Sequence, residues 1–288
     1  MNESCAVCGS SQSELLFEKA GYEVLKCRIC GFRYAHFEPG EDFARRFYTD
    51  DFFKDGYHKN GYIDYVADRH NHRRMAIQAL KFMERYVKGG TLLDVGCAAG
   101  YFLEALGPAW EPYGCEPSEE MAALARKKFG DRISHLPFED YGPDVPFDVV
   151  TMWDALEHVV DPAVCIRKVH GVLRDHGYVF LRTPDAGSPA ARLLGRAWYH
   201  YAPPGHLHFF DRKTISLLLD RNGFRLLKIV YLARYVSLAE IVINLGIMLD
   251  MGKVKDLSGR LMNNARWNLT IPYQVFDEMV VAAVKKPT

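Results

Sequence analysis

From Thr91 onward, short apolar runs alternate with amphipathic stretches, and that rhythm predicts the architecture. Thr91–Val95 (TLLDV) reads as a strand closed by Gly96, with a helix over Tyr101–Leu106. Trp110–Cys115 and Met121–Phe129 form the next strand and helix. Phe147–Met152, Ala163–Leu173 and Tyr178–Leu181 continue as strand, helix and strand, the last after a turn at Gly177. Asp161-Pro162 has the form of an N-cap followed by proline at the first helical position. Apolar runs of this length separated by helices predict a mostly parallel sheet covered on both faces. Past Pro184 the rhythm loosens. A helix over Thr214–Leu219 stops at Asn222-Gly223, Phe224–Tyr231 is a strand, and Glu278–Val284 (EMVVAAV) is a final strand. Upstream, Arg69–Val87 carries Met75, Leu80, Met83 and Val87 at helical spacing and ends at Gly89-Gly90.

The first thirty-six residues follow a different logic. Cys5-x-x-Cys8 and Cys27-x-x-Cys30 are separated by eighteen residues, and each pair is followed by a glycine, Gly9 and Gly31. Two such knuckles suit tetrahedral Zn2+, because glycine relieves the turn in which backbone N–H groups approach the thiolate sulfurs. A redox Cys-x-x-Cys motif needs only one pair. A module this small has little core, so the metal would supply its folding energy. His36 is a spare nitrogen nearby and reads as a bystander to four thiolates. The chain therefore divides into a zinc ribbon over 1–36, an aromatic-rich lid or linker over 37–88, and an α/β domain over 89–288 with a helical insertion at about 233–270.

Composition narrows the function. The 288 residues allow one sizeable core plus a small module. Thirty-six basic residues balance thirty-six acidic ones, so no overall field favours nucleic acid or anionic lipid. Val236–Met251, the longest apolar stretch, is broken by Glu240, Asn244 and Asp250 and is too short to span a bilayer. No signal or transit pattern opens the chain, and four of seven cysteines crowd its first thirty residues. We therefore expect a reducing, cytoplasmic setting.

The chemistry concentrates at Asp94-Val95-Gly96-Cys97-Ala98-Ala99-Gly100, where a strand turns into a helix. Gly96 and Gly100 let the backbone turn tightly and approach a ligand. Roughly twenty residues on, Glu116 ends the next strand, where an acid can accept both hydroxyls of a ribose. The dinucleotide fingerprint is G-x-G-x-x-G. Here the pattern is D-x-G-x-x-x-G, and the leading acid would repel a pyrophosphate but attract a sulfonium or an ammonium group.

These residues, with GCEPSEEM at Gly114–Met121, LPFEDY at Leu136–Tyr141 and FDVVTMWDALEHVVDP at Phe147–Pro162, resemble the class I S-adenosylmethionine-dependent methyltransferases. The resemblance runs from roughly Val87 to the C-terminus and is carried by four motifs in the family's order. It implies a doubly wound, seven-stranded, Rossmann-like α/β fold whose last strand is antiparallel to the rest. It also implies that Asp94, Gly96, Cys97 and Gly100 hold the methionyl end of the cofactor. Glu116 would hold the ribose, Pro117 and Met121 would belong to the cofactor site, and Phe138 and Glu139 would border the adenine. Trp153 and Asp154 would lie where the methyl group meets its acceptor. His158 is read either as a wall of the cofactor pocket or as a histidine capping or packing under the next helix.

The segment Trp198–Phe210 (WYHYAPPGHLHFF) is the candidate acceptor side, its Pro-Pro-Gly stiffening the loop that carries His206. Histidine has the right ordinary pKa for a base near neutral pH. Together with the ribbon, this stretch is similar to methyltransferases of deoxysugar and natural-product pathways. In the ribbon-bearing sugar C-methyltransferases a Glu-His pair stands here, with the histidine as proposed base. His206 matches that histidine, whereas Gly205 replaces the glutamate, and no counterpart of their additional C-terminal domain is present. His208 reads as a packing residue. Tyr57 and Tyr62, in the aromatic run Phe43–Tyr65, are candidates for a lid over the cofactor. Val236–Met251 and Leu257–Trp267 read as paired helices forming a substrate pocket, a homodimer surface or an interfacial contact. The expected activity is methylation of oxygen or carbon in a small-molecule acceptor. The alternative is ribosomal RNA base methylation with the ribbon gripping RNA. The ribbon's mixed charges (Glu3, Glu14, Glu18, Lys19, Glu23, Lys26, Arg28, Arg33) disfavour it.

Overall fold

In a computed structural model, residues 4–36, 47, 50–53, 64–238, 270–274 and 276–287 are described. Tyr57, Tyr62 and most of the expected insertion helices, with any dimer surface they form, lie outside the described residues.

The N-terminal strands β1 (Ser13–Lys19) and β2 (Tyr22–Cys27) form a hairpin with Lys19 opposite Tyr22. The two loop residues, Ala20 and Gly21, both have positive φ (53° and 81°). That is the turn whose twist matches a right-handed ribbon. β3 (Arg33–His36) completes the ribbon. Next come helix α1 (Arg69–Met83) and strand β4 (Gly90–Val95), then β5 (Trp110–Cys115), α2 (Glu119–Phe129) and the two-residue β6 (Ile133–Ser134). β7 (Phe147–Trp153), α3 (Pro162–Val172), β8 (Leu173–Pro184), the short α4 (Pro189–Leu194) and β9 (His208–Phe209) follow. The chain continues through α5 (Arg212–Arg221), β10 (Phe224–Val230), β11 (Arg234–Ser237), β12 (Thr270–Tyr273) and β13 (Glu278–Lys285).

Seven strands make the main sheet in the order β10-β13-β8-β7-β4-β5-β6. The pairs β4–β5, β4–β7, β5–β6 and β7–β8 are parallel. Only β13 runs against its neighbours, antiparallel to both β8 and β10. This is the doubly wound, mostly parallel sheet expected. Every residue of β13 is buried, which explains why EMVVAAV shows no alternation: both faces of the strand are covered.

The helix starts follow local rules. Asp161 Oδ1 accepts from the N–H groups of Ala163 and Val164, with Pro162 at the first helical position. Asp211 and Thr214 form a reciprocal box at the start of α5. Three expectations change. The helix over Tyr101–Leu106 is one 3-10 turn, Leu103–Ala105, because Gly107-Pro108 leaves no room to continue. β6 was not anticipated, being too short for any periodicity. Val236 and Ser237 belong to β11, paired with β12 across the insertion, rather than to a helix. Among the described residues, no helix is long and apolar enough to cross a membrane.

The ribbon does not stand alone. β9 extends its sheet to four strands, pairing antiparallel with β3 through Arg33–Phe209 and Tyr34–His208. Phe32 is buried and its ring lies 5.1 Å from that of Phe210 and 5.8 Å from that of His208. Arg33 donates to the Ala186 carbonyl and, at 3.1 Å, to the Tyr201 hydroxyl. Lys19 Nζ donates to the carbonyls of Arg196 and Trp198. The loop from 186 to 210 is thereby fastened to the ribbon along most of its length.

Candidate functional site

Asp94 sits at the end of β4 in the middle of the sheet, where the strand order reverses and loops on opposite faces leave a crevice. Gly96, Ala98 and Gly100 all have positive φ (73°, 45° and 77°). The N–H groups of Gly96 and Cys97 donate to the Cys115 carbonyl and that of Gly100 to the Cys97 carbonyl. Glu116, just beyond β5, closes the arrangement: its Oε2 accepts from Ala98 N–H at 2.9 Å and its Oε1 from Ser118 N–H at 2.8 Å. Each carboxylate oxygen retains a lone pair for a further donor.

Two cavities meet here. The larger, about 880 Å³, is walled by Glu116, Pro117, Phe138 and Glu139 on one side and Trp153, Asp154 and His158 on another, with Gly96 and Ala98 at its floor. Phe52, Phe53 and Tyr65 line it as well. The second, about 500 Å³, holds Asp94 and Cys97 together with His72, Tyr101 and Arg182, and shares Gly96, Trp153 and Asp154 with the first. Asp154 has φ of 53°, a strained conformation for a non-glycine residue, and is held by a two-toothed pairing with Arg182, Nε lying 2.8 and 2.9 Å from the two carboxylate oxygens.

The electrostatics favour a cation. Burial pushes Asp94 up to about 7, against the hydrogen bond from Thr151 Oγ1 (2.6 Å), and the neighbouring Glu116 adds to the shift. Burial likewise raises Glu116 to about 7, partly offset by the Ser118 and Ala98 N–H groups. A positive ligand between them would restore both to the ionised form.

The remaining predicted residues fall as follows. Gly100 lines neither cavity; a Cβ there would lie 3.1 Å from Phe129 Cε2 and 3.3 Å from Ala125 Cβ, so it lets α2 pack closely. Gly100→Ala should cost about 1–3 kcal/mol from the strained φ and that contact, read as a lower urea midpoint. Met121 is buried behind the turn with Phe52, Phe53, Ala98 and Ala99 rather than on a wall. His158 does not cap α3, since Asp161 does. Its Nδ1 donates to the Gly205 carbonyl at 2.7 Å and its ring is part of the cleft wall. His206 lies one ring further back, 4.8 Å from His158, with Nδ1 donating to the His200 carbonyl at 2.9 Å. His208 is buried against Phe32. Sequence reasoning missed Arg182 and His72. The signal for Arg182 was present, a lone arginine at the C-terminal end of an apolar strand (YVFLRTP).

The four ribbon cysteines converge, with ligand atoms all within 4.8 Å of one another. Cys5 and Cys30 sulfurs lie 3.6 Å apart and those of Cys8 and Cys27 3.5 Å. Tetrahedral Zn2+ with Zn–S bonds of about 2.3 Å sets sulfurs about 3.8 Å apart, so the quartet fits the ion. Burial would raise the Cys27 thiol, but the N–H groups of Cys30 and Ile29 and the Cys8 thiol bring it down to about 7. Gly9 and Gly31 take the positive φ (79° and 86°) that each knuckle requires. His36 turns to Glu23 instead.

Comparison with known proteins agrees with this geometry. The family model described as a methyltransferase domain matches residues 67–229. A ubiquinone biosynthesis O-methyltransferase of Pseudomonas paraeruginosa is 37% identical over 114 residues, 37% of this chain and 49% of that protein. Its counterpart in Xanthomonas campestris is 32% identical over 157 residues, 47% of this chain and 66% of that protein. The match thus spans about half to two thirds of these relatives' length. Among solved structures, the YcgJ protein of Bacillus subtilis superposes with TM-score 0.52 at 18% identity, covering 73% of this chain and 99% of that one. Magnesium protoporphyrin IX methyltransferase of Synechocystis with bound SAH gives TM-score 0.50 at 16% identity, covering 82% and 97%. These last two establish the fold.

Proposed function

The chain belongs to the class I S-adenosylmethionine-dependent methyltransferase family, and from that premise we propose that it methylates a hydroxyl oxygen of a small-molecule biosynthetic intermediate. The observation that carries the reading is Glu116, fixed by two backbone N–H groups at the wall of a cleft large enough for an adenosine. In this reading Glu116 takes the ribose hydroxyls, and Phe138, Glu139 and Pro117 border the adenine. Asp94 and the glycine turn take the methionyl end. Trp153, Asp154 and His158 face the sulfonium. The O-methyltransferase relatives support oxygen as the atom methylated, and sugar or natural-product precursors are the acceptors we favour. Zn2+ would hold the ribbon. RNA methylation gains nothing from the ribbon's placement, since its β3 edge is taken by β9. The seven free thiols fit a reducing, cytoplasmic setting.

The test is mass spectrometry of hydroxylated small molecules incubated with the protein and S-adenosylmethionine. Methyl addition to an oxygen supports the reading, and failure of the protein to bind the cofactor overturns it. Affinity should also depend on pH. Asp94 and Glu116, raised to about 7 by burial, are protonated below that pH in the free protein, and a cationic ligand binds their ionised forms. Binding should therefore weaken as pH falls from 7 to 6, by up to about tenfold for each proton that must leave. Calorimetry in buffers of different ionisation enthalpy should show proton release near pH 6. Flat affinity and no proton release would contradict the electrostatic account.

A further inference from the structure

Behind the cleft wall, two chain segments are stitched together by backbone hydrogen bonds. Leu207 N–H donates to the Glu157 carbonyl at 2.9 Å, and His208 N–H to the same oxygen at 3.2 Å. The segments bring the side chains of Glu157, His158 and His206 to one place, one potential ligand atom from each lying within 4.8 Å of the others. Both imidazoles give Nδ1–H to a main-chain carbonyl, of Gly205 and His200 respectively. That bond fixes the tautomer and leaves Nε2 as the nitrogen with a lone pair, the arrangement that orients histidines around metal ions. Glu157 is 1% exposed, and its Oε2 has no hydrogen-bond partner among the described residues. A buried carboxyl oxygen without a donor is stabilised by a proton or by a bound cation.

We infer that Glu157, His158 and His206 form a second metal site, distinct from the ribbon, for a borderline divalent transition ion. Two imidazoles and one carboxylate are a donor set for such ions, and three protein ligands leave positions open for an exogenous oxygen. Because His158 belongs to both the cluster and the cleft wall, an ion here borders the acceptor end. There it would hold an acceptor hydroxyl in its deprotonated form. That consequence rests on the proposed methyl transfer; the binding itself does not.

The experiment is titration of the zinc-loaded protein with Mn2+, without cofactor or acceptor, followed by electron paramagnetic resonance. Mn2+ is a poor match for thiolates and leaves the ribbon to its zinc. The expected result is one Mn2+ per chain beyond the ribbon zinc, with nitrogen modulation from imidazole ligands. His206→Ala and Glu157→Gln should each weaken binding by about tenfold or more, with zinc content unchanged. Absence of binding at millimolar Mn2+ overturns the site. So does bound Mn2+ without nitrogen modulation, a readout taken on the unmodified protein and independent of how the variants fold. Loss of methyl transfer with Mn2+ binding intact would count against the reaction and not against this site.

Discussion

Glu116→Ala should lower the affinity for S-adenosylmethionine by about 100-fold, measured by calorimetry at pH 8. The carboxylate is proposed to accept two ribose hydroxyls, and hydrogen bonds to a charged group contribute about 1.5–3 kcal/mol each. Part of that gain would be regained by water entering the vacated space, which leaves roughly 2.7 kcal/mol, or two decades. The substitution also strips the acceptor from Ala98 and Ser118 N–H, so the turn that carries Gly96 loses its brace. Glu116→Gln separates the two effects. The amide keeps the shape but not the charge, and it should retain affinity within about tenfold of wild type. An alanine variant that binds as tightly as wild type would remove Glu116 from the cofactor site.

The place of Glu116 beside the glycine turn was legible because it is local: a short strand, a glycine turn before it and an acid after it are all written in one stretch. The same holds for β4, β7 and β13, whose apolar runs are long enough to be unambiguous. What escaped was non-local. Arg182 is one cation in an apolar strand, and its meaning depends on Asp154 arriving from β7 in a left-handed conformation. Met121 looked like part of a motif, but its helical face turns to Phe52 and Phe53, so it supports the turn from behind. Of the described residues in the aromatic run, Phe52, Phe53 and Tyr65 border the cleft, and no periodicity in Phe43–Tyr65 singles them out in the sequence. β9 is two residues long and exists only because β3 offers an edge. A strand that short has no pattern of its own to detect.

That short strand gives the ribbon its place in the molecule. An exposed edge such as that of β3 invites pairing, and here the loop that precedes α5 is the partner. Through β9 the ribbon reaches the backbone next to His206, and through Gly205 and Glu157 the loop reaches His158 and the cleft wall. Ribbon, loop and wall are consecutive links, each joined to the next by named hydrogen bonds or ring contacts. The ribbon's own core is continuous with the main one: Cys5, Val7, Cys27, Cys30 and Phe32 share a cluster with Phe210, Ile215 and Leu218. A metal in the ribbon would therefore act on the loop and on the cleft wall at His158 through packing.

Removing that metal should have the largest effect on the molecule as a whole. Structural zinc contributes roughly 10–16 kcal/mol of apparent binding energy in peptides of this size, more than the ribbon's contacts with β9 and Phe210 can replace. Cys27→Ser, or chelation, should release β1 to β3, and with them the β3–β9 ladder, the Lys19 and Arg33 contacts and the Phe32 ring. Loss of one buried phenylalanine alone costs about 3–5 kcal/mol, which for a chain of this size is a fall in Tm of roughly 10 °C or more. Hydrogen exchange should show the change in residues 5–36 and 186–210, while β4, β7, β8 and β13 stay protected. Cofactor affinity should hold within about threefold, since Glu116, Phe138 and the glycine turn are braced by other strands. Methyl transfer should fall much further than cofactor binding, because the wall that faces the acceptor is the part that loosens. If 198–210 keeps its protection after the zinc is gone, the loop owes its position to the main sheet, and the ribbon is an appendage rather than a brace.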